Sequence, residues 1–298
     1  LANNTIALPG YTTIRVLQFI DLEHAKSISV KKITLSLVTL LIAFSLDAQI
    51  LWLSNFDKAK EVANELNKLI VIDFGANWCA PCRYMDQLVW ESSEMETIAK
   101  NFVALKINVD HDRVTPGLYS VSEIPKVVIA TASGFPVWMS VGFSTAEPLL
   151  AVLRSIPVDT GELNESSIDF EKNKKDLKTN LKLALALQNT GKGIKNDNLK
   201  SKFLERSDYL LVKIKKLSPG TDLSQEVDLY SVLNILYNGK PEKALKKIEK
   251  SRLAPVNERI EDLMHYVLAK CYWETRNQDD FRREKQLIKS RELSALLE

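Results

Sequence analysis

Cysteine is scarce in this 298-residue chain, with three residues in all. That excludes a disulfide-stapled scaffold, which needs more pairs and which a chain of this length does not require, because it can bury a core of its own. An excess of one charge is missing too. Forty Lys and Arg stand against 38 Asp and Glu, a formal +2, so nothing points to nucleic acid as a partner. No glycine-rich phosphate loop and no serine-centred triad occurs, and methionine does not appear before Met85. What remains, 45% apolar and 26% charged residues, describes a soluble globular protein long enough for one large domain or two ordinary ones.

The longest apolar run is at the front. "KKITLSLVTLLIAFSLDAQ" holds two lysines, an apolar stretch at 33–46 and a small residue at Ala48, the layout of a secretory signal peptide. The stretch is shorter than the roughly 20 residues that cross a bilayer. Leu46 stands where cleavage prefers a small residue, which leaves an uncleaved anchor running on through "ILWL" as the alternative. A translation start near Val30 is expected, with residues 1–29 an upstream extension, so that 1–49 is extension plus signal and the folded chain begins at 50.

"SNFDKAKEVANELNK" spaces Ala59, Val62, Ala63 and Leu66 as a helix capped by Ser54 or Asn55. "LIVIDFGA" follows, an apolar run broken only by Asp73 and suited to a central strand buried on both faces. A helix opens at the CxxC, and Ser93/Glu96 and Ser144/Glu147 have the spacing of capping boxes for later helices. "FVALKINVD" is a second strand, and "PKVVIATASGFPVWMSVG" a hairpin turning at Ser133 and Gly134. These elements make an α/β sandwich over 50–157. From "PVDTGELNESS" on, β-branched runs vanish and apolar residues recur three and four apart. We read 158–166 as a linker and 167–298 as an all-helical domain with helices near 167–190, 195–217, 223–238, 241–252, 256–276 and 279–297. "NGKPEKALKKIEK" and "TRNQDDFRREKQLI" occupy matching places offset by 37 residues, a spacing similar to tetratricopeptide-like repeats.

The chemistry lies in "NWCAPCRYM", where Cys79 and Cys82 are two residues apart. The pair is a redox catalyst, half of a metal site, or two buried thiols. A structural zinc needs four ligands; Cys271 and His265 lie in the helical part and nearly opposite on one helix, so no metal is expected, nor any other cofactor. Cys271 reads as a small core residue, and His111, in "VDHD", as a solvated residue at a strand end. A thiol reacts as thiolate, and a helix N-terminus favours the anion through its free N–H groups and dipole. Cys79 would sit at that end with Cys82 one turn inside, and Pro81 is tolerated because the first turn has no partner for its missing N–H. Cys79 is then the nucleophile and Cys82 the resolving thiol. Asp73, on the preceding strand, is the candidate proton acceptor, with a pKa raised by desolvation, and Lys106 on the next strand the candidate to pair with it.

"VIDFGANWCAPC", "LKINVD", "VSEIPKVVI", "ASG" and "SVGFS", in this order and spacing, resemble the thioredoxin superfamily over about residues 50–157. The resemblance implies a thioredoxin fold in which Trp78, Cys79, Pro81 and Cys82 form the active-site loop, faced by Ile124 and a cis Pro125. The backbone of Ile124 would pair with the substrate chain. Two departures stand out: Ala80 replaces a glycine, in the dipeptide that tunes the potential, and Lys126 replaces a threonine. A lysine there stabilises the Cys79 thiolate, selects acidic partners, or is simply solvated. The long segment after Cys82 is closer to the exported thioredoxin-like domains of bacterial disulfide-reducing systems.

The chain is therefore expected to be an exported thiol-disulfide oxidoreductase, a reductase or isomerase, in the periplasm or anchored facing it. Its partners would be a protein disulfide and a thiol electron donor, with a further protein on the helical domain. The competing expectation is an interaction protein whose helical domain binds partners, the thioredoxin-like part being redox-sensing or structural.

Overall fold

The computed structural model describes residues 50–251 and 253–297; the upstream extension and the signal segment lie outside the described residues. The first elements are β1 (Trp52–Leu53), α1 (Phe56–Glu65), β2 (Leu69–Gly75) and α2 (Ala80–Met85), which continues as a π-helical turn over Asp86–Trp90. Then come α3 (Met95–Ile98), β3 (Phe102–Asn108), α4 (Val114–Leu118), β4 (Lys126–Ala130), β5 (Pro136–Val141) and α5 (Ala146–Arg154). The strands form one sheet in the order β1-β3-β2-β4-β5. β3 runs parallel to both β1 and β2, whereas β4 is antiparallel to β2 and to β5. This is the thioredoxin-like α/β fold, a mixed sheet covered by helices on both faces.

β2 shows why the sheet forms where it does. All seven of its residues are buried, and successive side chains point to opposite faces. Leu69 and Val71 join Val127, Ile129, Met85 and Leu153 on one side, while Ile70, Ile72 and Phe74 join Ala59, Ala63, Val128 and Leu105 on the other. Asp73 has the parity of Leu69 and Val71, so the pleat aims its carboxylate at the face covered by the CxxC helix. At the β4–β5 turn Gly134 adopts a φ of 88° and donates its N–H to Thr131, a conformation glycine takes without steric cost.

β1 was not foreseen. Its two residues pair with Ala104 and Leu105, placing the final "WL" of the suspected anchor extension in the sheet. Neither capping box forms. The residue before α3 is Glu94, which makes no side-chain cap bond, and Thr145 precedes α5. At the second box Arg154 takes the acid instead, bonding Glu147 at 2.9 Å, and an ion pair with a guanidinium outcompetes a backbone cap for the same carboxylate; Arg154 also bonds Glu94, the residue before α3.

The helical region comprises α6 (Gly161–Lys172), α7 (Leu177–Lys192), α8 (Asp197–Leu217), α9 (Asp222–Tyr237), α10 (Pro241–Ser251), α11 (Glu258–Glu274), α12 (Gln278–Leu287) and α13 (Arg291–Ala295). α6 starts inside the stretch read as linker, its first N–H held by the Asp159 carboxylate at 2.9 Å. The helix expected at 167–190 is two helices, because Asp176 accepts from Thr179 N–H at 2.9 Å and caps a fresh start. The helix expected at 279–297 breaks likewise. The Asp262 carboxylate takes the N–H groups of Lys289 and Ser290 at 3.0 and 2.8 Å, and Ser290 caps α13.

The two regions share one core. The cluster that contains Val71, Val127 and Leu153 runs on without interruption through Leu163, Phe170, Leu187, Phe203 and Leu211. Phe135, immediately before β5, packs edge-on against Phe170, with ring centroids 5.8 Å apart. Trp138 donates its indole N–H to Asn198 at 2.6 Å. Asn164, fully buried, accepts from Ala132 N–H at 2.9 Å and donates to the Lys68 carbonyl at 2.9 Å. Each of these polar groups would cost about 1–3 kcal/mol if buried without its partner. A second cluster, centred on Leu233, Ile248, Ile260 and Val267, holds α9 to α11 together.

Candidate active site

The local sequence places Cys79 where the expectation put it. It is the residue before α2, with extended backbone, and its Sγ accepts the Cys82 N–H at 3.2 Å. Pro81 lies in the first turn. Cys79 and Cys82 are joined as a disulfide, and both are more than nine-tenths buried in a small apolar nest with Ala76, Val109 and Ile124. The nest is ringed by exposed groups: Trp78 at 67% exposure, Tyr84 and Val141 at 50% each, and Ala80 and Pro81 beside them. Trp78 is steadied by an N–H bond to Asp110 at 3.0 Å. The Ile124–Pro125 bond is cis, and Ile124 packs on the disulfide. The structure thus brings Trp78, Cys79, Ala80, Pro81, Cys82, Ile124 and Pro125 to one surface.

Behind the disulfide lies the acid. Asp73 is 2% exposed, and β2 and β3 are in register so that Asp73 and Lys106 are direct neighbours. The Lys106 ammonium stands 3.6 Å from Asp73 Oδ2. It also bonds the carboxylate of Asp86 and lies over the Trp52 ring at 5.5 Å. Asp73 Oδ1 and the Trp90 indole N–H are both buried without hydrogen-bond partners among the described residues. Desolvation dominates here: it pushes the Asp73 pKa up to about 7, opposed by the Lys106 charge and abetted by that of Asp86. A cavity of about 400 Å3 links Asp73, Cys82, Asp86, Lys106 and Asn108, room enough for water to carry a proton between the inner sulfur and the carboxylate.

Sequence reasoning missed Asp86 and Trp52. Asp86 is four residues after Cys82, the spacing that stacks side chains on one helix face, so half of its signal was present. Trp52 packs edge-on against Trp90 at 5.3 Å, and nothing in its neighbourhood announced a strand.

Lys126 is where the expectations fail. It is 5% exposed, neither solvated nor beside the thiols. It has the parity of Val128 and Ala130 rather than of Val127, and so points to the sheet face opposite Asp73. Its ammonium donates to the carbonyls of Tyr119 and Ser120 at 2.8 and 3.1 Å. Those carbonyls follow the end of α4, where a helix leaves acceptors unpaired and carries partial negative charge. In the helical region Cys271 is fully buried, its pKa pushed up to about 12 chiefly by desolvation, and His265 bonds Glu284 at 2.7 Å.

A sheet of this order with a CxxC disulfide before a helix and a cis proline against it defines the thioredoxin-like class. A thioredoxin-like family profile matches residues 51–132. Thioredoxin from Alicyclobacillus acidocaldarius is 31% identical over 90 residues, which cover 30% of this chain and 83% of that protein. The chloroplastic M-type thioredoxin of Brassica napus is 40% identical over 60 residues, 20% of this chain, and the chain spans only 33% of that relative's length. A solved structure titled "DsbH Oxidoreductase" aligns at 19% identity and a TM-score of 0.33, covering 36% of this chain and 84% of its own. The chain belongs to the thioredoxin family, with an all-helical region following its thioredoxin-like domain.

Proposed function

We propose that this protein is an exported thiol-disulfide oxidoreductase, a reductase or isomerase, acting on protein disulfides through a mixed disulfide at Cys79. The observation that carries the reading is the pairing of Cys79 Sγ, bonded to the Cys82 N–H at the start of α2, with a buried carboxylate, Asp73, across a shared cavity from Cys82. In the reduced protein the Cys79 thiolate attacks one sulfur of a partner disulfide. The Cys79–partner S–S bond forms as the partner's own S–S bond breaks, and the displaced sulfur leaves as thiolate. Cys82 gives its proton to Asp73, directly or through water, and attacks Cys79 Sγ. The partner leaves with two electrons gained, and the Cys79–Cys82 disulfide is restored. Lys106, between Asp73 and Asp86, steadies the Asp73 carboxylate before it takes the proton.

Export rests on the signal-like layout of 33–46 alone. For the helical region we propose protein docking on a repeat-like stack. The turns that end α9 and α11 support this: Gly239 and Arg276 both take positive φ, and the bonds Gly239 N–H to Leu236, Lys240 N–H to Ile235, Arg276 N–H to Trp273 and Asn277 N–H to Tyr272 repeat the same pattern at the offset of the sequence match.

The test is a Cys82→Ala variant. Partners should accumulate on Cys79 as mixed disulfides that dithiothreitol releases, and the wild type should reduce insulin. Neither result appearing would overturn the oxidoreductase reading in favour of an interaction protein.

A further inference from the structure

Beside the disulfide, but not part of its nest, a groove of about 570 Å3 opens between the sheet edge and the helical region. Its apolar lining is formed by Val141, Phe143 and Pro148 at the opening, with Trp138, Leu149 and Val152 buried beneath them. Its far wall is Asn196 and Asn198, at the start of α8, which packs against β5. That wall exists only because the helical region docks on the sheet through the Trp138–Asn198 bond. Each asparagine uses its carbonyl oxygen inside the chain, Asn196 on the Leu199 N–H at 2.9 Å and Asn198 on the Trp138 indole. The amide NH2 of each is the group left to meet an incoming acceptor.

The near wall is continuous with the catalytic surface. Gly142, on the rim, donates its N–H to the carbonyl of Pro125 at 2.8 Å. Phe143 stacks edge-on against Tyr84, with centroids 5.8 Å apart, and Tyr84 is two residues beyond Cys82. A polypeptide that presents a sulfur to Cys79 therefore passes its flanking residues along this rim. The lining matches a polypeptide. The apolar lining suits one large side chain, and amide donors at the wall suit main-chain carbonyls, whereas among the described residues no Lys or Arg lines the groove to hold an anion.

We propose that this groove is a second recognition subsite, built jointly by the sheet edge and α8, that takes a large apolar side chain near the reacting cysteine of an extended polypeptide partner. The proposal rests on the exchange activity inferred above and adds the partner's side-chain class.

The test uses reduced wild-type protein and a set of hexapeptides, each with one cysteine blocked as a disulfide with mercaptoethanol and with either tryptophan or glycine at each flanking position in turn. Hydroxyethyl disulfide, too small to reach the groove, reports the intrinsic exchange. Tryptophan at one register should raise kcat/KM about tenfold over glycine, the scale of burying one large apolar side chain. Ser140→Phe, which fills the groove from β5, should abolish that preference and leave hydroxyethyl disulfide unaffected. Asn198→Asp keeps an acceptor for Trp138 but loses the amide donor; it should slow every peptide and leave the small disulfide unchanged, which serves if Ser140→Phe does not fold. Peptides that react alike in the wild type, a preference that survives Ser140→Phe, or peptides that Asn198→Asp does not slow overturn the subsite. Failure of the wild type to reduce hydroxyethyl disulfide overturns the exchange activity itself, a separate result.

Discussion

The thioredoxin-like domain and the helical region each bury their cysteines, yet they bury them to opposite ends. Cys79 and Cys82 are 3% and 6% exposed and Cys271 is 0% exposed, so exposure alone does not tell them apart. Position does. Cys79 precedes a helix and receives a backbone N–H, and Cys82 opens onto a cavity with a carboxylate of raised pKa. Cys271 lies in the last turn of α11, far from the helix start where N–H groups stand free, and two nearby glutamates join desolvation in holding it as thiol. The lesson is that a reactive sulfur needs a place for charge and a place for the proton, and the fold supplies both at one strand-to-helix junction.

The sharpest way to break this contrast is to exchange the roles of the sulfurs. Cys79→Ser should lower insulin reduction at least about a thousandfold, the scale of losing a covalent nucleophile. Cys271→Ser should leave turnover unchanged and cost about 1–3 kcal/mol of stability in urea unfolding for a buried hydroxyl. A turnover defect in Cys271→Ser would erase the distinction.

Next in size is Asp73→Asn. The loss of the proton acceptor should slow resolution of the mixed disulfide about a hundredfold, read by quenched-flow trapping. The same carboxylate governs pH dependence. Its folded pKa, about 7, lies above the ordinary carboxylate range, so between about pH 4 and 7 the folded chain keeps a proton that the unfolded chain has released. Stability of the oxidised protein must then fall as pH rises through that window and level off above it. Asp73→Asn should remove the slope and stabilise the protein by roughly 2–4 kcal/mol above neutrality, with no gain near pH 3. Asp86→Asn sharpens the point. With one repelling charge gone and Lys106 released toward Asp73, the midpoint of the slope should move to lower pH. Lys126→Met, like Cys271→Ser, is expected to leave insulin reduction intact while lowering stability by about 1–3 kcal/mol, because two carbonyls lose a charged donor.

Much of this site could be read along the chain because its parts are local or strand-paired. The CxxC, the proline within it and the lone acid in an apolar strand mark themselves, and two strands of seven residues each put Asp73 beside Lys106. Asp86 escaped because its partner, Lys106, comes from a strand twenty residues on. Lys126 was legible in part: alternation with Val127 in the core turns it to the other face, but the carbonyls that receive it belong to a loop whose path no pattern revealed. The helix breaks divide in the same way. Asp176 caps its own helix three residues on, a signal written in the sequence, whereas the break before α13 depends on Asp262, 27 residues earlier. The shared core was hidden for a related reason, since an apolar helix face does not say what it will meet.

Asn164 carries that sharing furthest. A single side chain from α6 answers three main-chain groups of the α/β layer, the N–H of Ala132 and the carbonyls of Lys68 and Ala63. A gene cut after residue 157 would encode a sheet with open valences at its base. The catalytic half is thus built to be completed by the half that follows it, and separating the two would leave these three groups to find water instead.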